Sequence, residues 1–203
     1  MDCEMGGRDL KYSLLTAYFM ATDAKFTRVG SFYMELKPDD GTYLVSGKGM
    51  AVNKINLQEH DKRAVAYKDA KGAFFAFLSV TYKKLGRLTP VGHGVKGDIE
   101  HCIGRLCSQG SWDQFCTYHY QDTSVILQFL RSCGKMPDDG DGSIKALAEY
   151  FGVTVEGDDH DCRVDTMKTF GVFKEFVRLG KGGDVSPLPD DFRNKGVSGT
   201  IKI

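Results

Sequence analysis

The chain has no excess of either charge: 27 lysines and arginines stand against 27 aspartates and glutamates. That balance excludes the global electrostatic footprint of a histone-like or membrane-surface protein, so a polyanionic partner must be held by a local patch or by cations that carboxylates collect. Long apolar runs are missing too. No stretch reaches the roughly 18 residues that a spanning helix needs. The first residues show no basic segment followed by an apolar one, so the expectation is a cytoplasmic protein with no membrane partner. There is no internal repeat and no Cys-x-x-Cys pair. Six cysteines (Cys3, Cys102, Cys107, Cys116, Cys133, Cys162) are scattered through a chain too large to need staples, which reads as reduced thiols. A zinc site built from Cys102, Cys107, Cys116 and His119 fits no common ligand spacing.

What is present is a composition near the globular average, 41% hydrophobic and 27% charged over 203 residues, long enough for one well-buried core. Two runs of aromatic and branched residues, KYSLLTAYFMATD and KFTRVGSFYMELKPD, predict a β-hairpin closed by the turn residues PDDG. KGMAVNKIN is short and mixed and leads into a polar helical stretch over 57–64. Apolar residues at Ala70, Phe74, Phe77, Leu78 and Leu85 recur at helical spacing. RLTPVGHGV reads as a buried strand running into a loop, and a helical stretch is expected from Asp98 to Leu106. FCTYHY reads as a strand leading to Asp122. Helices are expected over 123–133, 143–151 and 161–179. This order predicts a single α/β domain with a mixed sheet flanked by helices over 1–180. A mobile Gly- and Pro-rich tail is expected over 181–203.

Carboxylates carry the chemistry. In MDCEMGG, Asp2 and Glu4 are two apart, so on a strand they project together while Cys3 points into the opposite layer. VGHGVKGD places Asp98 just after the buried strand, where a loop carboxylate is well placed to act. HDCRVD places His160 five residues before Asp165. Five helical residues turn by about 500°, roughly 140° off a shared face, so if His160 and Asp165 share a site, His160 must sit in the loop before the helix that Asp161 caps. Four gathered carboxylates could not all ionise without hard cations between them. Oxygen ligands favour Mg²⁺ or Mn²⁺, and two such ions about 4 Å apart clamp an in-line displacement at phosphorus.

Asp-Cys-Glu in the first strand, GHGVKGD in the middle and HDCRVD near the end resemble the three motifs of the DEDDh 3′-5′ exonucleases, a superfamily with a ribonuclease H-like fold. Asp122-Thr123 and ALAEYFGV resemble two further family features, and the resemblance spans about residues 1–180. It implies that Asp2 bridges two divalent cations, that Glu4 and Asp165 complete the first ion's shell, that Asp98 binds directly or through water, and that His160 is the general base. The implied reaction is hydrolysis of the terminal phosphodiester of single-stranded DNA or RNA at a free 3′ end, releasing nucleoside 5′-monophosphates. Met5 and Gly6 match positions whose backbone approaches the terminal nucleotide. Asn53 and Ile55 are candidates for the pocket of its base and sugar, or equally for an ordinary turn before a helix. Homodimerisation and association with a polymerase both remain open.

Two departures stand out. Family members have His-Asn and an aromatic in the second motif where this chain has His93-Gly94 and Gly97, so the Asp98 loop loses a local brace; His93 is expected to be structural. The family's first strand also carries several apolar residues before its first acid, where this chain shows Met1. A form extended upstream by four or five apolar residues is expected to be better ordered and to bind metal more tightly. The alternative to an enzyme is a nucleic-acid-binding module or polymerase partner that keeps this fold with weak or lost catalysis. Lys48, Lys54, Lys62, Arg63, Lys68 and Lys71 make one segment locally basic, either as the path of an incoming strand or as a solvated helix face.

Overall fold

The computed structural model describes residues 1–182; the tail expected over 181–203 lies, save for its first two residues, outside them. Three antiparallel strands form the body of the sheet: β1 (Asp2–Met5), β2 (Leu14–Thr22) and β3 (Arg28–Lys37). The two-residue β4 (Val65–Ala66) joins β3 in parallel. β5 (Val91–Gly92) and β6 (Gln121–Asp122) form a separate parallel pair. That pair meets β1 where the Met1 backbone nitrogen donates to the Val91 carbonyl (2.7 Å). β2 is buried along nearly its whole length, as a central strand covered by helices on both faces must be.

One face carries α3 (Tyr67–Leu85), α4 (Val95–Cys102) and α5 (Gln109–Phe115), around a core of Phe19, Phe32, Phe74, Leu78, Trp112 and Phe115. Phe74 meets Phe19 and Phe32 at ring-centroid distances of 4.9 and 5.3 Å, within the range where tilted aromatic pairs attract. A second core joins α6 (Thr123–Ser132), α7 (Ile144–Tyr150) and α8 (Cys162–Gly180) through Leu127, Leu130, Leu147, Val172 and Phe176. The short α1 (Gly47–Asn53) and α2 (Leu57–Arg63) follow the hairpin.

The hairpin, α2, α3 and the last three helices match the sequence reading; four other segments do not, among them the helix expected over 98–106, which runs over Val95–Cys102. KGMAVN, read as irregular, is α1, because the Ser46 hydroxyl caps it by accepting from Gly49 N (3.0 Å). The expected strand FCTYHY is not one: Phe115 ends α5 and Tyr118 is 80% exposed. Its alternating aromatics mimic a strand, but Ser108 caps a helix before them. RLTPVGHGV supplies only Val91 and Gly92 to the sheet, plus a bridge from Leu88 to Cys116.

β1 pairs with β2 only as far as Tyr18. Beyond it, Phe19–Thr22 face a cavity of about 550 Å³ whose far wall is Leu88–Val91 and whose lining includes the α8 side chains Thr166 and Phe170. The buried Thr166 hydroxyl has no hydrogen-bond partner. Apolar residues joined ahead of Met1 are expected to enter this gap and raise the melting temperature by several degrees, at about 2–4 °C per kcal/mol for a chain of this size. Thermal unfolding of the two forms measures it. Equal melting temperatures would mean that the gap closes unaided.

Candidate active site

β1 projects Asp2 and Glu4 from one side, both half-buried. Cys3 points the other way into the core, where its Sγ lies 3.7 Å from Cys102 Sγ. Cys102 is on α4, one turn after Asp98. Asp98 is not the loop carboxylate the sequence suggested: it lies in the first turn of α4 and is 5% exposed. The helix begins earlier because Gly94 adopts φ +71° as its N-cap, a backbone state few other residues reach cheaply. The brace that Asn would have given is supplied from elsewhere. Asp122 accepts hydrogen bonds from Gly94 N (2.9 Å) and Val95 N (3.1 Å) while also capping α6 through Ser124 N. His93 is half-buried and hydrogen-bonded through Nδ1 to Thr123 Oγ1 (2.9 Å).

Asp165 stands in the first turn of α8, and Asp161 caps that helix by accepting from Arg163 N (2.8 Å). His160 lies in the preceding loop at φ +66°, and its backbone N–H reaches Asp165 Oδ2 (3.3 Å). Glu4, His160 and Asp165 each offer a ligand atom, all within 4.8 Å of one another. Among the described residues no other group of three His, Cys, Asp or Glu side chains converges in this way, the cysteines and His119 included. Asp2 and Asp98 stand outside that trio but act on it electrostatically.

Burial, with repulsion from Asp165, pushes the Asp2 carboxyl up to about 7. Burial, with repulsion from Asp2 and Asp165, pushes Glu4 up to about 9. Asp98 is raised well above the usual range by burial and by Asp2. A cluster that resists ionisation by its own charges fits divalent cations, which reverse that penalty. Since the ordinary values are 3.8 and 4.5, folding without metal takes up protons at these groups. The stability they allow is full below about pH 4 and is lost as the pH rises through 7 and 9. The melting temperature of chelated protein is therefore expected to fall from pH 5 to pH 9, and the increase on adding Mn²⁺ to grow over the same range. A flat chelated profile in a pH series would contradict this.

A cleft of about 690 Å³ is lined by Glu4 and His160 of the trio, with Asn53, Ile55, Tyr33 and Arg163 among others, while Asp2, Asp98 and Asp165 are not part of its lining. Asn53 is buried: its Nδ2 donates to Met5 O (3.0 Å) and its Oδ1 accepts from Ile55 N (3.1 Å). It thus ties the end of β1 to the turn after α1. Gly49 lies so close to Gly6 that a Cβ there would sit 2.4 Å from the Gly6 carbonyl oxygen. Met5 and Gly6 are not part of the cleft lining. Of the basic segment, only Lys54 and Arg63 reach the cleft, and Arg63 is engaged by Glu35 (2.8 and 3.1 Å). Sequence reasoning missed Tyr33, whose ring carries the Arg163 guanidinium at 4.6 Å. It also missed Lys168, which donates to Asp159 (2.6 Å) and Asp165 (3.4 Å).

No protein-family model matches the chain, and no curated protein does. Solved structures do match in fold. Exonuclease I from E. coli in complex with a dT13 oligonucleotide aligns with a TM-score of 0.65 at 16% identity, over 89% of this chain and 42% of that one. A moderately thermophilic exonuclease I from Methylocaldum szegediense gives 0.66 at 18% identity, over 89% and 40%. The zinc-bound form of the E. coli exonuclease I complex with single-stranded DNA gives 0.63 at 17% identity, over 89% and 40%. The chain thus spans about two-fifths of the length of these proteins. At such identities the likeness is one of fold: this chain has the mixed α/β architecture of exonuclease I.

Proposed function

We propose that the chain is a metal-dependent 3′-5′ exonuclease acting on single-stranded nucleic acid, and that it releases nucleoside 5′-monophosphates. The observation that carries this reading is the convergence of Glu4, His160 and Asp165 within 4.8 Å beside a cleft that Glu4 and His160 line, with the carboxyls of Asp2 and Asp98 close enough to resist ionising together. The fold shared with exonuclease I, solved with a dT13 oligonucleotide and with zinc, supports single-stranded DNA as the first substrate to try.

Asp2, Glu4, Asp98 and Asp165 would hold two divalent cations, Mg²⁺ or Mn²⁺ by the hardness of their oxygen donors. When bound, such ions neutralise the phosphate's charge and raise the acidity of a water molecule. Exposed His160, in reach of Glu4 and Asp165, takes the proton of the attacking water on a ring nitrogen. Asn53 keeps the ends of β1 and α1 together, so that the floor of the cleft stays fixed as the 3′ nucleotide enters.

The test is a time course on 5′-labelled single-stranded DNA and RNA of one sequence in Mg²⁺, Mn²⁺ and chelator. Shortening by single nucleotides, abolished by chelator, is expected. Intact substrate in every metal with binding retained would instead establish the non-catalytic binding module.

A further inference from the structure

Lys168 is the one lysine or arginine among the described residues that is buried, at 7% exposure. A buried ammonium needs close partners to offset the loss of water. Lys168 finds them across the loop that leads into α8. Its Nζ lies 2.6 Å from Asp159 Oδ1 and 3.4 Å from Asp165 Oδ1. Asp159 is also held at its other oxygen by Lys145 of α7 (2.8 Å). The helices on both sides of the loop thus grip one carboxylate, and that carboxylate belongs to the residue before His160.

The grip has something to hold. His160 stands at φ +66° and Gly157 at +129°; a non-glycine residue in the left-handed region persists only where its surroundings over-determine it. The hydrogen bonds that the loop's own backbone donates around His160 are long: His160 N to Asp165 Oδ2 and Asp161 N to Asp158 O are both 3.3 Å, and the shorter contacts lie at the Asp161 cap that follows. The Lys145 side chain is 59% exposed and that of Lys168 9%. Screening therefore weakens the first pair far more than the second. The shorter distance to Asp159 than to Asp165 marks the loop, rather than the metal ligand, as the main partner of Lys168.

We propose that Lys168 is a positioning residue: through Asp159 it locks the loop so that the His160 ring is presented to the cleft. The kinetic part of this proposal rests on the exonuclease reading; the structural part does not. Lys168→Met keeps the volume of the side chain and removes the charge. Asp159→Asn removes the anionic charge of the same pair from a partly exposed site, with little risk to folding. Each is expected to lower kcat by roughly 10- to 100-fold with KM nearly unchanged, and Mn²⁺ affinity measured by electron paramagnetic resonance is expected to hold within about threefold. In a His160→Ala background neither substitution should lower the rate further, because the group it positions is gone. Lys168→Arg should restore most of the rate.

Further loss in the His160→Ala background, or loss of Mn²⁺ affinity in step with kcat, would overturn the proposal and make Lys168 a structural residue or a partner of Asp165. An unchanged kcat would overturn it as well. If the wild-type chain releases no nucleotides, the exonuclease reading has failed. The NMR signals of the His160 ring then decide: broadening or displacement in both variants supports the lock, and identical signals refute it.

Discussion

Glu4→Gln is expected to abolish metal-dependent turnover and, at the same time, to make the chelated protein more stable. The two effects have one origin. Glu4 is half-buried against Asp2 and Asp165, so that its carboxyl is pushed from 4.5 to about 9. At pH 7 the folded, metal-free protein must keep a proton there that the unfolded chain would release, which costs on the order of 2–3 kcal/mol. A glutamine of the same shape removes that cost, and the melting temperature in chelator should rise by roughly 5–10 °C. The same change removes an anionic ligand, so the increase in melting temperature on adding Mn²⁺ should shrink and turnover should fall by more than about 10³-fold. Differential scanning calorimetry with and without metal, beside the oligonucleotide assay, reads both. A Glu4→Gln protein that is less stable in chelator would mean that Glu4 is a structural residue whose hydrogen bonds matter more than its charge.

His160→Ala is expected to separate catalysis from metal binding. The side chain is exposed at the cleft, and removing a general base lowers turnover by about 10²- to 10⁴-fold. Its proximity to Glu4 and Asp165 also leaves it within reach of a cation, so Mn²⁺ affinity decides between the two roles. Affinity changed by less than about threefold identifies a base, whereas a drop of 10-fold or more identifies a ligand.

Much of the candidate site was legible because its signals are local. The two-residue period of a strand puts Asp2 and Glu4 together, and the helical turn forces His160 off α8 into a loop; both follow from spacing alone. α8 was legible because burial on one face writes a period into the chain, and the β2–β3 hairpin because its aromatic and branched runs are closed by turn residues. The misread parts depend on contacts distant in sequence or on caps. Asp98 looked like a loop residue at the start of a helix because the expected strand before it runs close to it. Yet α4 starts at Val95, held by a carboxylate 27 residues further along the chain. FCTYHY alternates as a strand does, but Trp112 and Phe115 are core residues of a helix that Ser108 begins. Lys168 passed unnoticed because a lysine three residues after an aspartate is ordinary on a solvated helix; its burial comes from the fold around it.

The contact between the Cys3 and Cys102 thiols has a consequence for how this protein tolerates change. Cys3 sits between the two β1 acids, and Cys102 is one turn from Asp98. The spacing between two of the acid-bearing elements is thus set by a pair of small, buried side chains. A larger residue at either place would push strand and helix apart by a fraction of the pair's width, and Asp2 and Glu4 on the strand and Asp98 on the helix would move with them. In a deep mutational survey scored by activity, Cys3 and Cys102 should therefore be as intolerant as the acids themselves. A survey scored by abundance should tolerate them better, which would assign to the interior of the protein part of the selection that is otherwise read as belonging to its chemistry.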